Sequence, residues 1–97
     1  METQIISLNV RGLGNTEKRK QVFEWIKSKN YEIILLQEVH CSNNLITKWK
    51  AEWQGPCRFS GNSTNSKGVA ILFHPKTNIE IVNQVNILEG RILFLRY

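Results

Sequence analysis

The chain has 97 residues, 41% of them hydrophobic and 22% charged, which is ordinary for a soluble globular protein of at most one small domain. No apolar run approaches the ~20 residues of a membrane-spanning helix, and the first residues lack the pattern of a signal peptide. The net charge of +5 favours an anionic partner, most commonly nucleic acid, although a mildly basic surface without a partner explains the charge equally well.

Few residues are available for acid–base or metal chemistry. All eight acidic residues are glutamates, and the two histidines are His40 and His74. Metal-dependent phosphodiester chemistry usually needs several carboxylates, often from aspartate, to hold the cation and orient the attacking water. The spacing of Cys41 and Cys57 does not predict a zinc site, and we expect both to be free thiols in a reducing, intracellular compartment.

The chain begins with a predicted strand, helix and strand. Residues Thr3–Asn9 are rich in β-branched side chains, and a loop with two glycines follows them. Asn15 or Thr16 is expected to cap a helix over Glu17–Lys29. The apolar run Ile33–Gln37 is typical of a short strand buried on both faces.

The predicted first helix combines an apolar stripe with a basic face. Val22, Phe23 and Ile26 lie at helical spacing, Trp25 widens the stripe, and Asn30 is the expected terminator. We expect the opposite face to be solvated, and it carries Lys18, Arg19, Lys20, Lys27 and Lys29.

A right-handed crossover would make the first two predicted strands parallel. Their carboxyl ends would then lie at one edge of the sheet, where ligands gather in open α/β sheets. Asn9 ends the first strand and Glu38 follows the second, so we expect their side chains to be neighbours. A carboxylate held there is a good ligand for a hard cation, although Glu38 is also explained as the first solvated residue after a strand.

The rest of the chain predicts one more helix and a set of antiparallel strands. A helix over Asn43–Trp53 would place Trp49 and Trp53 on one side, and Gly55–Pro56 would break it. Trp25 and Trp49 are expected to be packing residues, and Trp53 is either a packing residue or a base-stacking platform. The predicted strands are Arg58–Ser60, Gly68–Phe73, Ile79–Asn86 and Arg91–Tyr97, with a polar loop at 61–67 and turns at 74–78 and 89–90.

The chain stops inside the last predicted strand, RILFLRY. An apolar strand near a sheet edge is a liability in a finished protein, so we expect the sequence to be a truncated piece of a larger domain. An incomplete fold would leave one sheet face without its partner layer. Self-association through that exposed face is one expected consequence, and poor folding is another.

Three motifs, in this order, carry a family resemblance: ISLNVRGL, LLQEVH and GNSTNSKGVAILF. They resemble the endonuclease/exonuclease/phosphatase family, and in particular the apurinic-type endonuclease domain of LINE-type, non-LTR retrotransposons. The resemblance spans essentially the whole chain. It implies an α/β fold with a mixed sheet and flanking helices, namely the N-terminal half of a four-layered α/β sandwich, with residues 1–97 as a partial domain truncated at its C-terminus.

The resemblance also implies roles for individual residues. Glu38 matches the glutamate that ligates Mg²⁺, and Asn9 matches the asparagine that arranges the metal site and the phosphate. Gln37 would shape the surroundings of Glu38. His40 stands where the retrotransposon branch often has a histidine; we assign it no catalytic role and expect a surface residue or one behind the ligands. The candidates for DNA-backbone contact are Arg11, Lys67 and the helix residues Lys18, Arg19 and Lys20.

This sequence also departs from the family pattern. Arg11 occupies a place where some members have an acid. The family's catalytic tyrosine, its Asp-x-Asn motif and its late Asp-His pair are all absent, so we expect the chain to be inactive alone. The function implied is that of a fragment of a Mg²⁺-dependent DNA endonuclease that nicks target DNA in retrotransposition, located in the nucleus. The alternative is a non-catalytic basic α/β fragment that binds nucleic acid or protein.

Overall fold

The computed structural model describes residues 4–60, 68–77, 83–88 and 92–96. Within these ranges, six strands, two α-helices and one short 3-10 helix follow one another along the chain. They are β1 (Ile5–Asn9), α1 (Thr16–Lys27), β2 (Ile33–Gln37), the 3-10 helix (Asn43–Leu45), α2 (Ile46–Trp53), β3 (Cys57–Ser60), β4 (Val69–Phe73), β5 (Asn83–Leu88) and β6 (Ile92–Arg96).

Four strands form a mixed sheet in the order β1-β2-β4-β3. β1 and β2 are parallel, and Asn9 lies opposite Gln37 in their register. β4 pairs antiparallel with both β2 and β3, and β5 pairs antiparallel with β6. The prediction of an α/β fold with a mixed sheet and flanking helices is therefore confirmed, as are the parallel first pair and the antiparallel second half.

Both helices pack on one face of this sheet. The rings of Phe23 and Trp53 meet edge to face at 5.5 Å, and those of Trp49 and Phe59 meet in the same way at 6.3 Å. The Trp53 indole N–H donates to the carbonyl of Phe73 at 3.0 Å. Burying each large apolar side chain stabilises the fold by about 1.5–3 kcal/mol. The prediction that Trp49 is a packing residue is confirmed, and of the two alternatives for Trp53 the structure shows packing, since its side chain is fully buried.

The other face of the sheet is partly open, which corrects the prediction that β2 is buried on both faces. Leu35 is 36% exposed, and Ile5, next to β2 on the same face, is 57% exposed. Because α1 and α2 both cover the face that carries Ile34 and Leu36, only alternate residues of β2 are fully buried.

The structure corrects the predictions for Trp25 and Arg19, because Trp25 is exposed and Arg19 is buried. Trp25 is 47% exposed, with the Lys29 ammonium 5.3 Å from its ring centre, so it is not a core residue. Arg19 was expected on the solvated face, yet it is only 3% exposed. Its guanidinium is held by Glu52 across to α2, a partner that helical periodicity cannot reveal.

Several predicted boundaries move by a few residues. Asn15 is the N-cap of α1 and accepts from the Lys18 N–H, but α1 ends at Lys27 with Ser28 as its C-cap, so Asn30 is not the terminator. The turn 43–45 is a 3-10 helix, and Gln54 closes α2 in a left-handed conformation. β5 ends at Leu88 rather than at Asn86, with an irregularity in its pairing just before that end.

Some predictions fall outside the described residues. These are the loop at 61–67 with Lys67, the first part of the strand predicted from Ile79, and the turn at 89–90. Across the described ranges, neither helix has the length and apolar character needed to cross a bilayer.

Candidate metal and phosphate site

The loops that follow β1 and β2 are joined by backbone hydrogen bonds. The N–H groups of Val10, Gly12 and Leu13 donate to the carbonyls of Gln37, Glu38 and Val39 at 3.0, 2.6 and 3.0 Å. This ladder continues the parallel pairing past the ends of the strands. It brings the residues after β1 against the residues after β2, at the edge of the sheet where ligands gather.

Asn9 and Glu38 meet at this edge. The Asn9 amide donates to the Oε2 atom of Glu38, although the residues are 29 positions apart in sequence. The Asn9 carbonyl oxygen accepts the Arg11 backbone N–H at 3.1 Å. The Glu38 side chain is 54% exposed, and its other oxygen, Oε1, lies 3.9 Å from Nε2 of His40. The site thus offers an oriented carboxylate that is open to solvent.

Three residues at this edge have left-handed backbones although none is glycine. Their φ angles are 49° for Arg11, 54° for Glu38 and 54° for His40. This conformation costs a non-glycine residue about 1–2 kcal/mol, and such strain often accompanies functional sites. Val39 holds the segment in place, because its side chain is fully buried and its N–H donates to the carbonyl of Gly68 at 3.1 Å.

The His40 ring packs closely against Gly12. Its φ is +90°, and a Cβ atom added there would lie 2.9 Å from Nδ1 of His40. A side chain at position 12 would therefore be strained and would also displace the imidazole. The second glycine of the VRGLG loop, Gly14, has no such neighbour.

The remaining predicted residues have different surroundings. Arg11 is exposed beside Asn9, which leaves its side chain accessible. Lys67 lies outside the described residues. The Gln37 amide donates to Ser7 at 2.8 Å rather than to Glu38. The Lys18 ammonium donates to the carbonyls of Val10 and Arg11 at 2.7 and 3.3 Å, so it holds the loop after β1.

Sequence reasoning did not anticipate two features of this site, the loop-holding role of Lys18 and the approach of His40 to Glu38. The approach of His40 to Glu38 had no signal in the sequence, because it depends on the left-handed backbone at both residues. The role of Lys18 had no signal in the sequence either, because its partners are carbonyl groups whose positions are set by the loop conformation.

The donor set fits a hard divalent cation. Within the described ranges, no three side chains of His, Cys, Asp or Glu converge on one point. Mg²⁺ commonly takes only one or two protein carboxylates and fills its other positions with water and phosphate oxygens. Glu38, steadied by Asn9, meets that requirement.

The cysteines take no part in this site. Cys41 and Cys57 are buried free thiols. Burial raises the pKa of both thiols to about 11, so both are protonated near neutral pH. A protonated, buried thiol is neither a nucleophile nor a metal ligand.

Residues 6–95 match the Endonuclease/Exonuclease/phosphatase family, and the chain belongs to this family. Among curated proteins, the Transposon TX1 uncharacterized 149 kDa protein of Xenopus laevis is 31% identical to the chain over 96 residues. That similarity covers 99% of this chain and 7% of the transposon protein. The family predicted from the three motifs is confirmed, and the relative is transposon-encoded, as the resemblance to retrotransposon endonucleases leads one to expect.

Proposed function

We propose that the chain carries the Asn9–Glu38 part of a divalent-cation-dependent DNA endonuclease domain that nicks target DNA in retrotransposition. The observation that carries this proposal is the hydrogen bond from Asn9 to Glu38. It joins the ends of two parallel strands into one site, in a chain of the endonuclease/exonuclease/phosphatase family. Similarity to a transposon-encoded protein supports the retrotransposon setting.

In this proposal each residue has a definite task. Glu38 offers Oε1 to Mg²⁺, while Asn9 holds Oε2 and so fixes the orientation of the carboxylate. When bound, Mg²⁺ supplies Lewis-acid polarisation of the scissile phosphate and stabilises the leaving oxygen. Arg11, exposed beside the site, attracts the DNA backbone, and Lys67 is a second candidate for that task.

We further propose that residues 1–97 are the N-terminal half of a larger sandwich and are inactive alone. The sequence contains no aspartate, so the family's Asp-x-Asn and Asp-His groups have no counterpart in it. Removing members of a catalytic unit typically lowers the rate by several orders of magnitude. The missing groups would have to come from another segment of polypeptide.

Two further parts of the proposal concern partners and location. DNA is the partner that the family and the net charge of +5 favour. The open sheet face with Ile5 and Leu35 supports self-association. A retrotransposon endonuclease acts on chromosomal DNA, so the proposed location is the nucleus.

A supercoiled-plasmid nicking assay with Mg²⁺ tests this function, together with duplex-DNA binding measured by fluorescence anisotropy. We expect neither the chain nor its Glu38→Ala variant to nick, and we expect Mg²⁺ to change DNA binding by the chain but not by the variant. Nicking that depends on Glu38 would contradict the proposed inactivity. Equal DNA binding by both proteins, with and without Mg²⁺, would favour the non-catalytic binding fragment instead.

A further inference from the structure

We propose that His40 completes a two-donor metal site with Glu38 and thereby determines which divalent ion the site prefers. This rests on the proposed function, in which Glu38 holds the cation. The addition is a nitrogen donor, which would favour a borderline first-row ion of the Co²⁺ or Zn²⁺ type over Mg²⁺.

The free donor atoms of the two side chains face each other. Asn9 occupies Oε2 of Glu38, and the remaining oxygen, Oε1, lies 3.9 Å from Nε2 of His40. Two donors that bind one tetrahedral ion at about 2.1 Å lie about 3.4 Å apart. The pair is therefore wider than that spacing by about half an ångström. Both side chains are partly exposed, 54% for Glu38 and 37% for His40, so side-chain rotation can close the difference.

The backbone holds the pair in this arrangement. Glu38 and His40 have the same left-handed φ of 54°, and the fully buried Val39 between them anchors the segment. A Cβ atom added at Gly12 would lie nearest to Nδ1 of His40, so this side of the ring faces Gly12, while the other ring nitrogen, Nε2, faces Glu38. The position of the ring thus selects Nε2 as the ligand atom.

The ammonium group of Lys18 is already engaged by the loop after β1. It donates to the carbonyls of Val10 and Arg11 at 2.7 and 3.3 Å. A carboxylate together with water ligands suits Mg²⁺. An added imidazole raises the affinity of the site for Co²⁺ and Zn²⁺ far more than its affinity for Mg²⁺. His40 would then act as the residue that shifts the selectivity of this site.

Titration of the 97-residue chain with CoCl₂, followed by visible absorption, and with MgCl₂, followed by calorimetry, tests the inference. His40→Ala should weaken Co²⁺ binding at least about tenfold and leave Mg²⁺ binding within about twofold. His40→Asn tolerates the left-handed backbone, so it should fold well and show the same loss of Co²⁺ affinity. Circular dichroism verifies the fold of each variant.

His74→Ala is the matched control. Both nitrogens of His74 are already engaged, Nε2 with the Lys27 carbonyl at 3.1 Å and Nδ1 with the Lys76 N–H at 3.1 Å. Its removal should not change Co²⁺ binding. If the His40 variants weaken both ions equally, or neither, the inference is wrong even where Glu38→Gln abolishes Mg²⁺ binding and the proposed function stands. If Glu38→Gln changes neither ion, both proposals fall.

Discussion

A single side chain, Asn9, connects the two loops of the candidate site. Its carbonyl oxygen accepts from the Arg11 N–H at 3.1 Å, and its amide donates to Glu38. The carboxylate therefore has a defined orientation before any cation arrives. Such preorganisation reduces the conformational entropy that the Glu38 side chain loses when it binds a cation. For an exposed side chain this entropy loss would otherwise lower the affinity most.

Replacing Asn9 with alanine should affect binding far more than stability. We expect Asn9→Ala to weaken Mg²⁺ binding by about tenfold or more, since the orienting hydrogen bond is lost. The free energy of unfolding should fall by less than about 1 kcal/mol, because the bond is exposed. Ser7→Ala is the control, as it removes another exposed hydrogen bond on the same sheet face. Calorimetric Mg²⁺ titration and urea unfolding measure both effects; unchanged Mg²⁺ affinity would refute the orienting role.

At the scale of elements, Arg19 links α1, α2 and the loop after β1. Its guanidinium bonds both carboxylate oxygens of Glu52 at 2.6 and 3.1 Å and the Leu13 carbonyl at 3.0 Å. It also lies 4.9 Å from the centre of the Trp49 ring. One buried cation thus sets how the two helices lie against each other under the site.

Removing this cation should destabilise the fold clearly. Truncating one member of a buried ion pair costs about 3–5 kcal/mol, and Glu52 is 34% exposed, so we expect about 2–3 kcal/mol for Arg19→Ala. The neighbouring Lys20→Ala removes an exposed charge and should change stability by less than about 0.5 kcal/mol. Urea unfolding of both variants measures the two changes in the free energy of unfolding. A similar small change in both would show that the pair contributes little.

The same pair makes stability depend on pH on the acid side. The hydrogen bond from Arg19 lowers the pKa of Glu52 below its ordinary value of 4.5. A group whose pKa is lower in the folded state stabilises the fold above its unfolded pKa, and this stability is lost as pH falls through the folded pKa. The free energy of unfolding should therefore decrease as the pH is lowered from about 4.5. In Glu52→Gln this decrease should be less steep. Identical slopes in the two proteins would contradict this assignment.

At the scale of the whole molecule, the fold and the site differ in how far the sequence predicts them. The parallel strand pair and the meeting of Asn9 with Glu38 could be predicted because short apolar runs and one crossover leave few topologies. The left-handed backbone at Glu38 and His40 could not, because it is imposed by the buried Val39 and by Gly68. Likewise, the periodicity of α1 predicts an exposed Arg19, because it contains no information about the ion pair with Glu52 of α2.

The net charge of +5 should make DNA binding strongly salt-dependent. If Arg11 contacts a phosphate, Arg11→Gln should reduce the slope of log K against log salt by about 1 and weaken binding to all sequences alike. Lys48→Gln removes the same charge from an exposed position on α2 and should change the slope less. Anisotropy titrations over a range of salt concentrations measure the slopes. Equal changes in the two variants would mean that only net charge matters.

We propose that Glu38, oriented by Asn9, is a ligand for Mg²⁺ at the joined ends of β1 and β2. The most direct measurement is an amide NMR titration of the chain with MgCl₂, repeated on Glu38→Gln. We expect chemical-shift changes concentrated in the loops after β1 and β2, including the Asn9 side-chain amide, and their loss in Glu38→Gln. Shifts spread over the other exposed glutamates, or a site that survives in Glu38→Gln, would contradict this proposal.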